Sequence, residues 1–281
     1  MPQLSDIYIY PVKSLGGIRL DTSEVTDRGL KYDRRWMLID ENNRFISQRE
    51  YPKLAVFSTE LFTSFLRITD TRVMSGVLVA LRPQPAHVIN LVNVTIWDDE
   101  VVAWEISKIA NNFFTKALGI PVRLVYMPDE SHRKTEADYS LKGDEITSLS
   151  DGYPILIIGQ TSLDDLNNKL AEPIAINRFR PNFVFTGGQA FEEEEWHEFK
   201  VENLRFFGVK PCARCVMTTI DPLTGEKKGK EPLLTLNKYR KAGNKILFGQ
   251  NVLISQTGSV SVGDNIEVIN RKKLAKFEVE N

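Results

Sequence analysis

Short apolar runs separated by turn residues recur along this chain and restrict it to a β-rich fold. In the first half such runs cover residues 55–57, 66–68, 76–79 and 88–96, with polar or turn-forming residues between them. Regular alternation of short strands and turns is typical of a small sandwich or barrel. The sequence therefore predicts a mostly β fold of the α+β class with a few flanking helices. Further strands are predicted at 7–10, 18–25, 36–39, 122–126, 155–159, 183–185, 204–209 and 248–254.

Three stretches predict helices. The first has apolar residues at i, i+3 and i+4 spacing between residues 106 and 118, and Gly119 supplies its stop. The second follows the apolar strand 155–159 and has Thr161 or Ser162 as its cap, so its first N–H groups offer an anion site. The third covers residues 233–240. A hairpin with a Gly-Asp turn over residues 260–269 is predicted to close the fold.

Three polar segments are predicted to lie on the surface. Residues 127–142 form a long exposed loop between two parts of the protein. The acidic run 192–195 is interpreted as a solvated face, and a docking face for an electron-transfer partner is the other interpretation. The charged tail, residues 271–281, is predicted to be frayed.

Composition excludes several classes of protein. The chain has 281 residues, of which 42% are hydrophobic and 26% charged, and its formal net charge is −1. It is long enough for a substantial core, and it is neither a basic nucleic-acid binder nor a disordered acidic chain. Two cysteines fit a reducing compartment better than a disulfide-built scaffold. The N-terminus shows no signal-peptide pattern and no long apolar run is present, so we expect a cytoplasmic protein without a membrane span.

The two cysteines, Cys212 and Cys215, lie on one loop with cationic neighbours at Lys210 and Arg214. The thiolate is the form that attacks or binds metal, and nearby cations favour it. A β-branched run at 216–220 follows and is predicted to be a strand, which is the wrong context for a thioredoxin-like redox pair. A single Cys-x-x-Cys cannot make a four-thiolate zinc site. Two interpretations stay open here: a functional cysteine, and two buried structural ones.

Several separate turns carry groups that bind anions. Lysine with a hydroxyl and exposed glycine N–H groups can hold a phosphate, and an arginine at a strand entrance can donate a bidentate pair to one. Thiolates, in turn, suit soft metals. A ligand with a phosphate at one end and a soft metal at the other would use all of these groups. The turns are Lys13-Ser14, Arg34-Arg35, Gly152-Tyr153, and Arg178 and Arg180 with Asn182.

Six motifs in order give the chain a family resemblance. It resembles the MOSC-domain molybdenum-cofactor proteins of the mitochondrial amidoxime-reducing component type and their bacterial relatives, over about residues 5 to 270. The resemblance implies an N-terminal β-rich MOSC_N region at 1–125 and a MOSC β-barrel at 126–275. The first strands, about residues 1–34, are expected to pack with the C-terminal barrel. The motifs are residues 10–14, 33–36, 151–154, 179–182, 211–225 and 248–251.

The resemblance also implies a cofactor and its site. The cofactor is of the molybdopterin type, and Cys215, the second cysteine of the pair, is the metal ligand and catalytic residue by motif position. Family association adds pyridoxal phosphate binding as a further property. The residues implied to hold the molybdenum cofactor are Lys13, Ser14, Arg34, Arg180 and Asn182. Those implied to line the same cleft are Gly152, Tyr153, Cys212, Ala213, Arg214 and Asn251.

The implied activity is reduction of N-hydroxylated compounds, such as amidoximes, hydroxylamines and N-hydroxylated bases, to amines or amidines. The sequence shows no targeting pattern and no cysteines besides Cys212 and Cys215 that could hold an iron–sulfur cluster. We therefore expect a separate electron donor: a ferredoxin, a cytochrome b5-like protein or a flavoprotein reductase. The alternative is a non-catalytic carrier of sulfur or molybdenum cofactor that uses a Cys215 persulfide. A structural β domain with buried thiols is a third interpretation.

Overall fold

The structure, a computed structural model, describes residues 1–273. Strands dominate this part of the chain, which confirms the predicted mostly β, α+β class. The helices are α1 (Lys108–Leu118), α2 (Gln160–Asn167) and α3 (Leu233–Arg240). The strands are β1 (Gln3–Ile9), β2 (Ile18–Leu20), β3 (Thr22–Thr26), β4 (Gly29–Leu30), β5 (Trp36–Ile39), β6 (Phe57–Leu61), β7 (Phe65–Asp70), β8 (Ser75–Ala80), β9 (Asn90–Ile96), β10 (Asp99–Glu105), β11 (Arg123–Tyr126), β12 (Arg133–Lys134), β13 (Ile146–Thr147), β14 (Ile155–Gly159), β15 (Phe183–Thr186), β16 (Trp196–Val201), β17 (Leu204–Ala213), β18 (Lys241–Ala242), β19 (Lys245–Ile254), β20 (Gly258–Ser261) and β21 (Ile266–Arg271).

The largest sheet joins both ends of the described chain. Its strand order is β2-β1-β15-β14-β19-β17-β16-β21, with β18 attached to β19. The N-terminal β1 pairs antiparallel with β15, and β3 pairs with β20 in a smaller sheet. Two of the first strands thus pair with strands of the C-terminal half, while the division into domains between residues 125 and 126 stays a prediction. Buried aromatic side chains fill the core beneath the large sheet: Phe183, Phe185, Trp196, Phe199 and Phe206.

A second group of strands lies in the first half of the chain. It contains the sheets β5-β11-β10-β9 and β6-β7-β8, and α1 packs on it. The amphipathic pattern located α1 correctly: Ser107 Oγ accepts from Ala110 N, and Gly119 ends the helix with a φ of 74°. Phe114 is fully buried against Phe57, but Ile109 is 75% exposed and does not belong to the core stripe.

Two predicted elements near the C-terminus are wrong. Val216–Thr219 is a 3₁₀ helix and not a strand, because the carbonyl of Cys215 accepts hydrogen bonds from both the N–H and the hydroxyl of Thr218. The predicted 260–269 hairpin is also wrong, since β20 pairs with β3 and β21 pairs with β16. The tail beyond residue 273 lies outside the described residues.

The predicted N-cap of α2 and the predicted solvated face at residues 192–195 are also wrong. α2 begins at Gln160 after Gly159, and neither Thr161 nor Ser162 caps it. Instead, the Gly159 N–H and the Ser162 hydroxyl both donate to the Glu193 carboxylate, so a protein side chain occupies the predicted anion site. Glu193 and Glu194 are fully buried and not solvated. Burial and the neighbouring Glu194 raise the pKa of Glu193 to about 7.

The predicted loop at 127–142 is largely exposed, as at Glu130, His132 and Lys134. It is anchored by Met127 and Arg133, which are buried, and by β12, which pairs with β13 just beyond the segment. The Arg133 guanidinium donates to the carbonyls of Ser150 and Asp151, at 2.6 and 3.2 Å. The segment thus supports the turn that follows β13. Within residues 1–273, no helix combines the length and apolar character that a membrane crossing requires.

Candidate functional site

One cavity brings together every residue that the family resemblance implied for the site, whereas Arg35 of the Arg34-Arg35 turn donates to the Met127 carbonyl instead. The cavity has a volume of about 300 Å³ and lies where the turns after β1, β4 and β13 meet the end of β17. The residues were drawn from six separate motifs, and their convergence is an observation, while the role of each in binding a cofactor stays a prediction. The predicted residues in the cavity wall are Lys13, Ser14, Arg34, Gly152, Tyr153, Arg180, Asn182, Cys212, Ala213, Arg214, Cys215 and Asn251.

Three residues of the cavity wall have left-handed backbone conformations. The φ angles are 70° at Ser14, 48° at Arg34 and 56° at Arg180. Such angles cost free energy in residues other than glycine and persist only where surrounding contacts hold them. The turns are held by backbone hydrogen bonds from Lys13 N to the Trp36 carbonyl and from Arg34 N to the Tyr10 carbonyl, at 2.8 and 2.9 Å.

Tyr10 organises two of these arginines. The guanidinium groups of Arg34 and Arg180 both lie over its buried ring, with central carbons 4.3 and 4.2 Å from the ring centroid. Cation–π contacts of this kind hold a guanidinium flat against an aromatic face. The Asp33 carboxylate lies 2.6 Å from the Arg34 guanidinium and balances its charge. The Arg180 guanidinium also donates to the Leu15 carbonyl at 2.6 Å. Burial lowers the pKa of Arg180 to about 10, so it stays cationic at neutral pH.

Lys13 is a buried cation at the cavity wall. Its side chain is 6% exposed, and Nζ lies 2.6 Å from the Asp151 carboxylate. Burial lowers the pKa of Lys13 to about 8, although the Asp151 charge opposes this. Lys13 therefore carries its charge at neutral pH and loses it in mildly alkaline solution.

The two cysteines lie on different elements. Cys212 is within β17, whereas Cys215 immediately precedes the 3₁₀ helix Val216–Thr219. Burial raises the pKa of the Cys212 thiol despite the nearby Arg214. Arg214 donates to the carbonyls of Phe248 and Phe179, at 2.8 and 3.0 Å, while its Nη2 is buried without a partner in the described structure. That atom is an unused donor at the wall of the cavity.

Asn182 and Gly152 contribute in ways that the sequence did not show. The Asn182 amide accepts from Leu156 N and donates to the Tyr8 carbonyl, both at 3.1 Å, so it ties β14 to β1. A Cβ added at Gly152 would meet no atom within 4 Å. The backbone of Gly152 lines the cavity, but steric crowding does not require a glycine there.

Several residues of the cavity wall were not predicted as site residues, among them Asp151, Arg49 and Trp97. Asp151 was noted only within a motif. The Arg49 Nε donates to the Cys215 Sγ at 3.3 Å, although the two residues are 166 positions apart. No local pattern marks Arg49, since a lone arginine before a proline-containing turn is an ordinary surface residue.

Sequence comparisons place this chain in a known family. The family profile of the MOSC N-terminal beta barrel domain matches residues 1–121, and that of the MOSC domain matches residues 144–267. Mitochondrial amidoxime reducing component 2 of Rattus norvegicus is 32% identical over 94% of this chain and 82% of its own length. The chain belongs to the MOSC family. The protein of the same name from Bos taurus is also 32% identical, with the same coverage, and mitochondrial amidoxime-reducing component 1 of Homo sapiens is 29% identical over 95% of this chain and 82% of its own.

The cavity of this MOSC protein is strongly cationic. Its wall carries six cationic side chains and one carboxylate, that of Asp151. Charges that converge on one cleft attract an anionic ligand and raise its local concentration. Together with the Arg214 donor and the Cys215 sulfur, they form a donor set that fits an anionic, phosphate-bearing ligand with a soft metal. The cations are Lys13, Arg34, Arg49, Arg178, Arg180 and Arg214.

The affinity of this MOSC protein for sulfate is expected to fall as the pH rises through about 8. Sulfate keeps its charge in this range, whereas Lys13, with a pKa of about 8, becomes neutral. The loss of one charged donor is expected to weaken binding roughly tenfold. Calorimetric titration with sulfate on either side of this pH measures the change. A Lys13→Met variant is expected to bind weakly at both values, and an equally steep pH dependence in the variant would contradict the assignment.

Proposed function

We propose that this protein is a molybdenum-cofactor oxidoreductase that reduces N-hydroxylated compounds to amines or amidines. The observation that carries the proposal is the meeting of the Cys215 sulfur and six cationic side chains around one 300 Å³ cavity. The names of similar proteins support the proposal, because the relatives from Rattus norvegicus and Homo sapiens are amidoxime-reducing components. We also propose that a separate protein donates the electrons and that this protein is located in the cytoplasm.

The reaction has a simple balance. The N–O bond of the substrate breaks, two electrons and two protons are consumed, and the products are the amine or amidine and water. When bound, the molybdenum cofactor supplies the redox centre through which the electrons pass from the donor protein to the substrate. The electrons come from a separate donor such as a ferredoxin, a cytochrome b5-like protein or a flavoprotein reductase.

The protein's own residues bind, orient and balance charge. Cys215 would hold the metal as its protein ligand, and Lys13, Arg34 and Arg180 would hold the anionic end of the cofactor. The Tyr10 ring already fixes Arg34 and Arg180, and Asp151 already fixes Lys13. These side chains therefore lose little conformational entropy when a ligand binds. The free Nη2 of Arg214 gains a partner when an acceptor enters the cavity.

The proposal is tested with protein purified from cells that make molybdenum cofactor. Elemental analysis is expected to show near-stoichiometric molybdenum, and the protein is expected to convert an aromatic amidoxime to its amidine with two electrons consumed per product. Protein from cells unable to make the cofactor is the control and is expected to be inactive. Absence of molybdenum, zinc and iron, with a persulfide on Cys215 detected by mass spectrometry, would overturn the proposal in favour of a sulfur carrier.

A further inference from the structure

We infer that Arg49 is a positioning residue that donates a hydrogen bond to the Cys215 sulfur and thereby sets its electron-donor strength. The contact joins Arg49 Nε to Cys215 Sγ at 3.3 Å. The side chain of Arg49 is 23% exposed, so the contact is largely shielded from water. A donor to a ligating sulfur tunes the metal that the sulfur binds, and this part of the inference rests on the proposed function.

The guanidinium of Arg49 is fixed by two other groups of the cavity wall. Its central carbon lies 4.5 Å from the Trp97 ring centroid, and Nη2 lies 3.6 Å from the Asp151 carboxylate. Asp151 uses its other oxygen for Lys13. Trp97 itself has a left-handed backbone, with a φ of 56°, and its ring packs edge-on against Phe45. Because a ring and a carboxylate hold the guanidinium, its Nε is directed at the sulfur before any ligand binds.

The cations next to Cys215 in the sequence are engaged elsewhere. Arg214 donates from Nε and Nη1 to the carbonyls of Phe248 and Phe179. Lys210 pairs with Glu136 at 2.5 Å. Sequence reasoning assigned the cationic environment of the sulfur to these two neighbours. The structure assigns it to Arg49, which reaches the site from the segment between β5 and β6.

A hydrogen bond to a metal-binding sulfur withdraws electron density from it, which favours the reduced state of the metal and raises the reduction potential. Without a metal, the same hydrogen bond orients the Cys215 sulfur and places a positive charge beside it, which assists its attack on an alkylating reagent. The contact therefore has two consequences that can be measured separately. One is the reactivity of Cys215 in cofactor-free protein, and the other is the potential of molybdenum in loaded protein.

The test compares Arg49→Met and Arg49→Lys with the control Arg67→Met. Arg67 also lies over an aromatic ring, that of Phe62 at 4.5 Å, and pairs with a carboxylate, that of Glu60 at 3.3 Å, but it is far from the cavity wall. Iodoacetamide alkylation of cofactor-free protein is followed at one neutral pH. Trypsin cleaves after Arg214 and so places the two cysteines on different peptides for mass spectrometry.

Arg49→Met is expected to slow alkylation of Cys215 roughly three- to tenfold, while Arg67→Met keeps the native rate. Arg49→Lys keeps the charge without the planar donor and is expected to restore part of the rate. In loaded protein, Arg49→Met is expected to shift the molybdenum potential to more negative values, measured by redox titration with paramagnetic resonance detection. Unchanged or faster alkylation in folded Arg49→Met would overturn the inference. Slower alkylation in preparations that never bind molybdenum would support the contact and overturn the proposed function instead.

Discussion

Replacing Cys215 with serine is expected to remove both molybdenum and reductase activity, whereas the same change at Cys212 is expected to keep the metal. Both thiols border the cavity, but only the Cys215 sulfur has a hydrogen bond from the Arg49 guanidinium in the described structure. The Cys212 thiol has a raised pKa because it is desolvated, which disfavours the thiolate that a metal needs. Activity of Cys215→Ser is expected to fall roughly 100-fold or more, since loss of even an outer-shell partner costs 10–100-fold.

Molybdenum per chain and amidoxime turnover are the two measurements, and Cys212→Ser is the matched control. For Cys212→Ser we expect native metal content and a loss of activity no greater than roughly tenfold, because its backbone and side chain border the same cavity. Full metal content and full activity in Cys215→Ser would contradict the assignment of the metal ligand. Reversed effects in the two variants would move the ligand to Cys212.

Replacing Glu194 with alanine is expected to destabilise the fold strongly. Glu194 and Arg240 are both buried, and the carboxylate oxygen lies 2.5 Å from the guanidinium. The Arg240 guanidinium also lies 4.0 Å above the Phe191 ring centroid. Removal of the Glu194 carboxylate breaks a buried ion pair and its hydrogen bond, which costs about 3–5 kcal/mol. For a domain of this size, that corresponds to a fall of roughly 10 °C in the thermal unfolding midpoint.

Differential scanning calorimetry measures this change, and Glu195→Ala is the control from the same acidic run. Glu195 pairs with Arg271 at 3.1 Å, but both side chains are accessible to water. An exposed ion pair contributes about 0–1 kcal/mol, so Glu195→Ala is expected to unfold within a few degrees of the native protein. Equal effects of the two substitutions would show that the buried pair does not determine the stability of this region.

The sequence predicted the parts of the fold that depend on local order. The apolar face of α1 and the glycine that ends it, Gly119, are recognisable within a few turns of one helix. The apolar residues of β14 follow one another without interruption. The anion-binding turns and the cysteine loop were predicted from their own chemistry, whereas Ala213 and Asn251 were predicted only from the family resemblance. No motif shows by itself that the turns meet. That they meet follows from the pairing of β1 with β15 and of β14 with β19, which bring the turns to one side of the sheet.

The errors arose where a distant partner changes the meaning of a local pattern. A run of four glutamates is typical of a solvated face, but Ser162 and Arg240 provide buried partners for two of them. The β-branched residues after Cys215 favour a strand, yet hydrogen bonds from Thr218 to the Cys215 carbonyl make a helical turn. Arg49 was missed for the same reason, since its partner Cys215 lies in the other half of the chain.

The joining of the chain's two ends has a consequence for biosynthesis. Ser259 of β20 bonds the Ser23 carbonyl of β3, across 236 positions of sequence. A ribosome releases β3 long before β20, so β3 can pair with β4 but not with β20 while most of the polypeptide is being translated. Contacts this distant in sequence form slowly. Lys13 and Cys215 consequently come to line one cavity only late in translation, and until then the apolar side chains of β1 lack the neighbouring strand β15.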